Sequence, residues 1–308
     1  CLVNQLTSLD VSGATALTSL DCENNQLTSL DVSNNTALTS LRCGSNLGGN
    51  QNQLTTLDVS NNTALTDLWC QSNQLTTLDV SNNTALTDLT CSYNQLTTLD
   101  VSGATALTYL DCWGNQLTSL DVSNNTALTW LGCLVNQLTS LDVSNNTALI
   151  FMRCDNNQLT SLDVSNNTAL TWLSCADNQL TSLDVSQNTA LTHLLCNSNQ
   201  LTSLDVRNGN NSNMHIVIGG FLSGEFYVIN NPNLSCINVD DWQFSLFNWT
   251  SIDPQHYFSN NCSGTGIEEH TTNKELLRTI DVLGRETKHE PLFYIYDDGT
   301  VEKKIIIE

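Results

Sequence analysis

The chain has 308 residues and a formal net charge of -22, from 9 Lys and Arg against 31 Asp and Glu. That balance excludes nucleic acid and anionic membrane surfaces as expected partners, since both require a basic footprint. No apolar run approaches the ~18 residues of a membrane-spanning helix, so no membrane span is expected.

From its first residue the chain follows a phrase of the form C-x-x-N-Q-L-T-[ST]-L-D-V-S-x-N-T-A-L-T-x-L-x. Its cysteines stand at Cys1, Cys22, Cys43, Cys70, Cys91, Cys112, Cys133, Cys154, Cys175 and Cys196, every interval being 21 except the 27 between Cys43 and Cys70. A fixed short period means a solenoid with one turn per repeat. Each turn has two similar halves, L-T-S-L-D-V-S at 27–33 and L-T-S-L-R-C-G at 38–44. Both alternate with period two, so two short strands per turn are expected, each with one face buried. Leu, Val, Ala and Cys point inward and stack into columns that no single turn could bury alone.

Two Asn columns are assigned a structural role. Asn4, Asn25, Asn73, Asn94, Asn115, Asn136, Asn157, Asn178 and Asn199 follow one strand, and Asn35, Asn62, Asn125, Asn146 and Asn188 follow the other. A buried turn leaves backbone groups without water, and a side-chain amide serves donors and acceptors alike. The cysteines stack ~4.8 Å apart, but parallel side chains in one column rarely meet the disulfide torsion. They read as reduced packing residues, free Cys being a small hydrophobe. No C-x-x-C or Cys/His cluster is present, so no metal and no cofactor is expected.

The runs L-x-x-L-x-C-x-x-N-Q-L and L-x-x-L-D-V-S-x-N resemble leucine-rich repeats, of the short nested type of bacterial surface proteins. The resemblance covers residues 1–206. It implies a mainly β, right-handed parallel solenoid of about ten turns, used for binding and not for catalysis. Because the chain begins inside a repeat, an N-terminally truncated solenoid is expected. Six extra residues, 47–52, bulge from the third turn and are assigned no chemistry.

Variation is confined to the outward positions flanking each buried Leu and Cys of the second half-turn. Down the stack no two turns agree there, whereas the other half-turn shows Ser or Thr, Asp and Ser almost throughout. Four of the six Trp, namely Trp69, Trp113, Trp130 and Trp172, lie on this strip, as do Arg42 and Arg153, the basic residues that precede Arg207. Tyr109, Trp130, Phe151 and Trp172 form one column, a ridge on the order of 15 Å long at ordinary strand spacing. Trp113 and Leu134 widen it, and Tyr93 borders it. Exposed aromatics mark interaction surfaces, so the expected ligand-binding set is Trp69, Tyr93, Tyr109, Trp113, Trp130, Leu134, Phe151, Arg153, Trp172 and His193. On the opposite half-turn the carboxylates of Asp10 through Asp205 repel. Ser and Thr hydrogen bonds, solvent screening or Ca²⁺ are the candidates to offset them.

Beyond Val206 the period decays, and 207–262 reads as a C-terminal cap covering the solenoid end. Trp242, Phe244, Phe247 and Trp249 are expected in its core, and Cys236 with Cys262 is a candidate disulfide. Residues 263–273 read as a polar linker. In 274–308, three strand candidates cover 276–283, 292–296 and 301–307, the last two joined by a hairpin at D-D-G-T. The runs I-D-V-L-G-R-E at 280–286 and L-F-Y-I-Y-D-D-G-T-V-E-K-K-I-I-I resemble the C-terminal sorting domain of type IX secretion cargo in Bacteroidota. The resemblance implies contact with that secretion machinery and export past the outer membrane.

Scattered His residues, with no nucleophile motif and no phosphate loop, argue against an enzyme. The expected function is a secreted or cell-surface recognition module that binds a protein or peptide through the variable aromatic strip. The alternatives are a glycan-binding adhesin and a surface spacer without a specific ligand.

Overall fold

The computed structural model describes residues 1–45, 51–214 and 226–262, together with the backbone of 276–280, 293–296 and 301–303. The linker at 263–273, the hairpin turn at 297–300 and most of the insertion lie outside the described residues. The chain divides into two compact units, Cys1–Cys262 and Ser263–Glu308.

In the first unit the Cys half of each turn forms a three-residue strand. These are β1 (Ser19–Asp21), β2 (Ser40–Arg42), β3 (Asp67–Trp69), β4 (Asp88–Thr90), β5 (Tyr109–Asp111), β6 (Trp130–Gly132), β7 (Phe151–Arg153) and β8 (Trp172–Ser174). The stack continues through β10 (His193–Leu195), after β9 (Ser182–Asp184), and is followed by β11 (Ser203–Asp205) and β12 (Phe226–Tyr227). Ten strands form one sheet in the order β1 to β8, β10, β12, and every pairing is parallel. Register is strict: Leu110 lies opposite Leu131, and Leu131 opposite Met152. A one-residue slip would turn the buried Leu column outward.

The other half-turn departs from the two-strand expectation. It is a named strand only at β9, β11 and, in the last turns, β13 (Cys236–Asn238) and β14 (Tyr257–Ser259), plus one bridge between Asp79 and Asp100. Asp accepts from the backbone N–H of the Ser two residues on, at 2.9 Å in Asp31–Ser33, Asp121–Ser123 and their equivalents. These local turns offer the backbone an alternative to a ladder, but the same bond is present at Asp184 and Asp205, where β9 and β11 form, so it does not by itself decide the outcome.

The core is the stacked inner lattice. Leu110, Cys112, Leu117, Val122 and Leu128 are all fully buried, as are their equivalents from Leu27 to Val206, while Leu6, Val11 and Leu17 of the first turn are partly buried. Each buried Leu or Val removes about 1.5–3 kcal/mol of apolar surface from water. Nine of the ten ladder cysteines are buried, and all ten are free thiols. Burial pushes the Cys22, Cys70, Cys133 and Cys196 thiols up to about 12.

The two Asn columns work differently. In the first, from Asn25 on, each Oδ1 accepts a Leu N–H of the preceding turn and each Nδ2 donates to two or three carbonyls. Asn136, for instance, accepts from Leu117 at 3.0 Å and donates to Cys112 and Cys133 at 3.1 Å. In the second, Nδ2 donates to two carbonyls, as Asn146 does to Val122 and Asn125 at 2.9 Å, while Oδ1 has no partner. Asn83 and Asn167 belong to this second column as well. Ala104 replaces Asn where its carbonyl alone, accepting from Asn125 at 2.8 Å, is enough.

Asn52 corrects the limits of the insertion. It is buried and fills the first Asn column, accepting from Leu27 at 2.9 Å and donating to Cys22 and Cys43. The extra residues therefore end before it, not with it.

The stack also runs past Val206. Phe226 pairs with Leu194, Ile237 with Leu204, and Phe258 with Ile237. Asn231 repeats the Asn role on Leu201 and Cys196. Periodicity in sequence is lost here because the turns differ in length, while the inward apolar positions persist. Helix α1 (Trp242–Asn248) is capped by Asp241, whose carboxylate accepts from Gln243 and Phe244. Trp249 is buried, stacked 4.0 Å from Phe226. Phe247 instead is 79% exposed on the outer face of α1, so it is not core as expected. Cys236 and Cys262 form a disulfide.

In the second unit β15 (Leu276–Ile280), β16 (Phe293–Tyr296) and β17 (Val301–Lys303) form an antiparallel sheet in that order.

Candidate functional site

The outward positions of β3 to β10 form the site. Parallel pairing in strict register sets the residues three before each Cys directly above one another: Tyr109 opposite Trp130, Trp130 opposite Phe151, Phe151 opposite Trp172, Trp172 opposite His193. Their rings stack in one continuous column. Centroid distances are 4.3, 5.2, 5.5 and 4.2 Å down the series, with interplanar angles of 14°, 2°, 27° and 18°. Each ring therefore covers its neighbours' faces and offers an edge to solvent. Trp130 leans along its own strand over Gly132, where an added Cβ would lie 2.5 Å from the indole. The glycine makes room for the ring.

Tyr93 and Trp113 form a second pair, 4.3 Å apart and tilted by 59°. Tyr93 is 51% exposed and holds a left-handed backbone, φ 51°. The position two after the ladder Cys is left-handed in turn after turn, and Gly114, Asn24 and Asn156 suit it. A bulky Tyr or Val there costs about 1–2 kcal/mol.

The remaining predicted residues are placed separately. Trp69 lies outside the ring column and carries the Arg42 guanidinium, whose Cζ is 3.9 Å from its ring centroid. Arg153 pairs with Asp155 at 3.3 Å. Leu134 is 6% exposed and packs inward, so it does not widen the ridge. The position after the ladder Cys is buried in most turns whatever fills it, as with Glu23, Gln71, Ser92, Asp155 and Ala176.

Between Trp69 and the end of the ring column lies an open cleft of about 820 Å³. Turn β4 contributes Asp88, Thr90, Ser92 and Tyr93 there, between Trp69 and Gln71 on one side and Tyr109, Asp111 and Trp113 on the other. Sequence reading passed over Asp88 and Asp111. The available signal was the β4 turn itself, with three small or polar outward residues flanked by turns with large ones. The Asp111 carboxylate accepts from the Trp113 N–H at 3.3 Å. Burial raises it to about 6, against the lowering effects of that N–H, Arg153 and Ser92. Among the described residues, neither Asp88 nor Asp111 forms an ion pair.

The opposite half-turn is uniform. Its Asp carboxylates are lowered by Ser hydroxyl and N–H bonds, as at Asp58 and Asp121. Hydrogen bonding to Ser thus accompanies the like-charge column.

No protein-family model and no curated protein matches the sequence. Solved structures do. The functional domain of InlJ from Listeria monocytogenes, which includes a cysteine ladder, is 36% identical with a TM-score of 0.66 over 83% of this chain. The present chain spans 55% of that domain. An internalin (inlF) from the same organism is 23% identical, TM-score 0.58, over 81% of this chain and 77% of its own. A leucine-rich-repeat protein of Leptospira interrogans is 21% identical, TM-score 0.51, over 83% and 76%. The fold is a parallel leucine-rich-repeat solenoid, and its likeness to InlJ includes the stacked cysteines.

Proposed function

We propose that this chain is a non-catalytic recognition module that binds a protein or peptide across the outward face of β3 to β10. The supporting observation is the contrast between faces. One is uniform in Ser, Asp and Ser, and the other gathers a five-ring column, a second aromatic pair and a carboxylate-lined cleft. Ring edges and a concave polar pocket on a rigid sheet are the ingredients of an interface core.

Export to the cell surface is part of the same reading. The Cys236–Cys262 disulfide fits an oxidising compartment, and the tail resembles a type IX sorting segment. Residues 1–262 then form the binding body and 274–308 the export signal.

The test is selection of a displayed random-peptide library on the full chain, with a glycan array in parallel. Selected peptides should lose binding to Trp130→Ser with Trp172→Ser and retain much of it with Phe at both positions, which preserves the stack. Glycan binding without peptide selection would favour the adhesin alternative. Peptides insensitive to all strip variants would sink the assignment of this face.

A further inference from the structure

We infer that the cleft at β4 takes a guanidinium side chain of the bound partner, held between Trp69 and Tyr109 above the carboxylates of Asp88 and Asp111. This rests on the proposed reading of the strip as a protein- or peptide-binding face and names the chemistry of its first pocket.

Four observations support it. First, the shape. Trp69 and Tyr109 stand on β3 and β5, two strand spacings or roughly 10 Å apart across the sheet and offset by two residues in register, with Asp88, Thr90, Ser92 and Tyr93 of the intervening turn between them. The cleft, about 820 Å³, has room for a planar head group and part of the chain that carries it. Second, the ring surface. Tyr109 ends the aromatic column: Trp130 covers one face, and its other side borders Asp88 and the cleft. Third, the charge. Asp88 and Asp111 lie half-buried without an ion pair among the described residues. Arg42 is engaged on Trp69 and Arg153 on Asp155. Arg153 acts on Asp111 from a distance, without an ion pair, and offsets its charge only in part. Fourth, an internal counterpart. Trp69 already carries the Arg42 guanidinium from the β2 side at 3.9 Å, the arrangement proposed for its β4 side. A planar guanidinium stacks on rings and forks onto carboxylates, whereas an ammonium does neither as well. A net charge of -22 draws a basic partner in.

Calorimetric titration of the full chain with three probes tests this: N-acetyl-arginine amide, N-acetyl-citrulline amide and maltotriose. Citrulline keeps the shape and removes the charge. Arginine amide should bind in the millimolar range, roughly what one cation–π contact and one ion pair can supply, and citrulline amide about tenfold more weakly. Asp88→Asn should weaken arginine amide by about tenfold, and Tyr109→Leu likewise. Asp142→Asn, on the uniform face, removes the same charge and should change nothing. Circular dichroism of each variant establishes folding.

No arginine binding, equal citrulline binding, preference for maltotriose, or an equal loss from Asp142→Asn would each overturn the guanidinium site. The two readings fail separately. Library peptides that depend on the strip tryptophans but show no enrichment in Arg would remove only the cleft assignment. Peptides that ignore the strip would remove the reading beneath it.

Discussion

Single residues carry opposing stakes along this strip. Val135 occupies the left-handed position after Cys133 with φ 52°, and its side chain is exposed. Val135→Gly should therefore stabilise the fold by about 1 kcal/mol, read as a higher urea midpoint at unchanged slope. Asp111 behaves in the opposite sense to a salt-bridged carboxylate. Its pKa is raised in the folded chain from 3.8 to about 6, so its contribution is complete below about 3.8 and is lost as pH rises through about 6. Asp111→Asn should leave stability unchanged near pH 3.5 and increase it by about 1–3 kcal/mol at pH 8. An equal gain at both pH values would argue that burial is not the cause. A charge kept in a half-buried cleft at the expense of stability is what a binding group looks like. The ladder thiols make a third case. With burial raising them, native protein should label with iodoacetamide at Cys1 alone and at all ten free thiols once unfolded.

At the level of the element, the Asn columns show how far repeated residues can differ in effect. Asn136→Ala strands a Leu117 N–H as well as buried carbonyls, whereas Asn146→Ala strands carbonyls alone and removes an amide oxygen that has no partner. The first should cost about 2–4 kcal/mol and the second about 1–2, a difference visible in chemical denaturation. The turns, the inner columns and the variable strip were all legible from the 21-residue period, because alternation and spacing dictate which side chains face in. The finer points were not. Whether the Asp half-turn becomes a ladder is not written in its residues, since the same Asp and Ser sit in half-turns with and without one. Leu134 is buried because the position one residue past the strand is covered in most turns, by polar and apolar residues alike, and strand alternation does not reach that far. The Asp88–Asp111 cleft arises from an absence of bulk at β4, and a search for conspicuous residues does not see it. Turns beyond Val206 were missed because their lengths vary while their inward positions do not.

For the molecule as a whole, nearest-neighbour stacking implies that loss of structure begins at the ends. The C-terminal end is tied by the Cys236–Cys262 bond across 26 residues. Reducing it should raise hydrogen exchange first in β13 and β14, leaving β4 to β7 protected, with a loss on the order of 3 kcal/mol at that end.

The ring column has one more consequence, which concerns the order of assembly. Interior turns with nearly interchangeable inner faces can dock with one turn looped out, because Leu meets Leu and Cys meets Cys either way. Tyr109, Trp130, Phe151, Trp172 and His193 meet only when five turns follow in their proper succession. The outer aromatics thereby act as a page sequence for a book whose pages are otherwise alike, rejecting the skipped-turn arrangements that the core alone would accept.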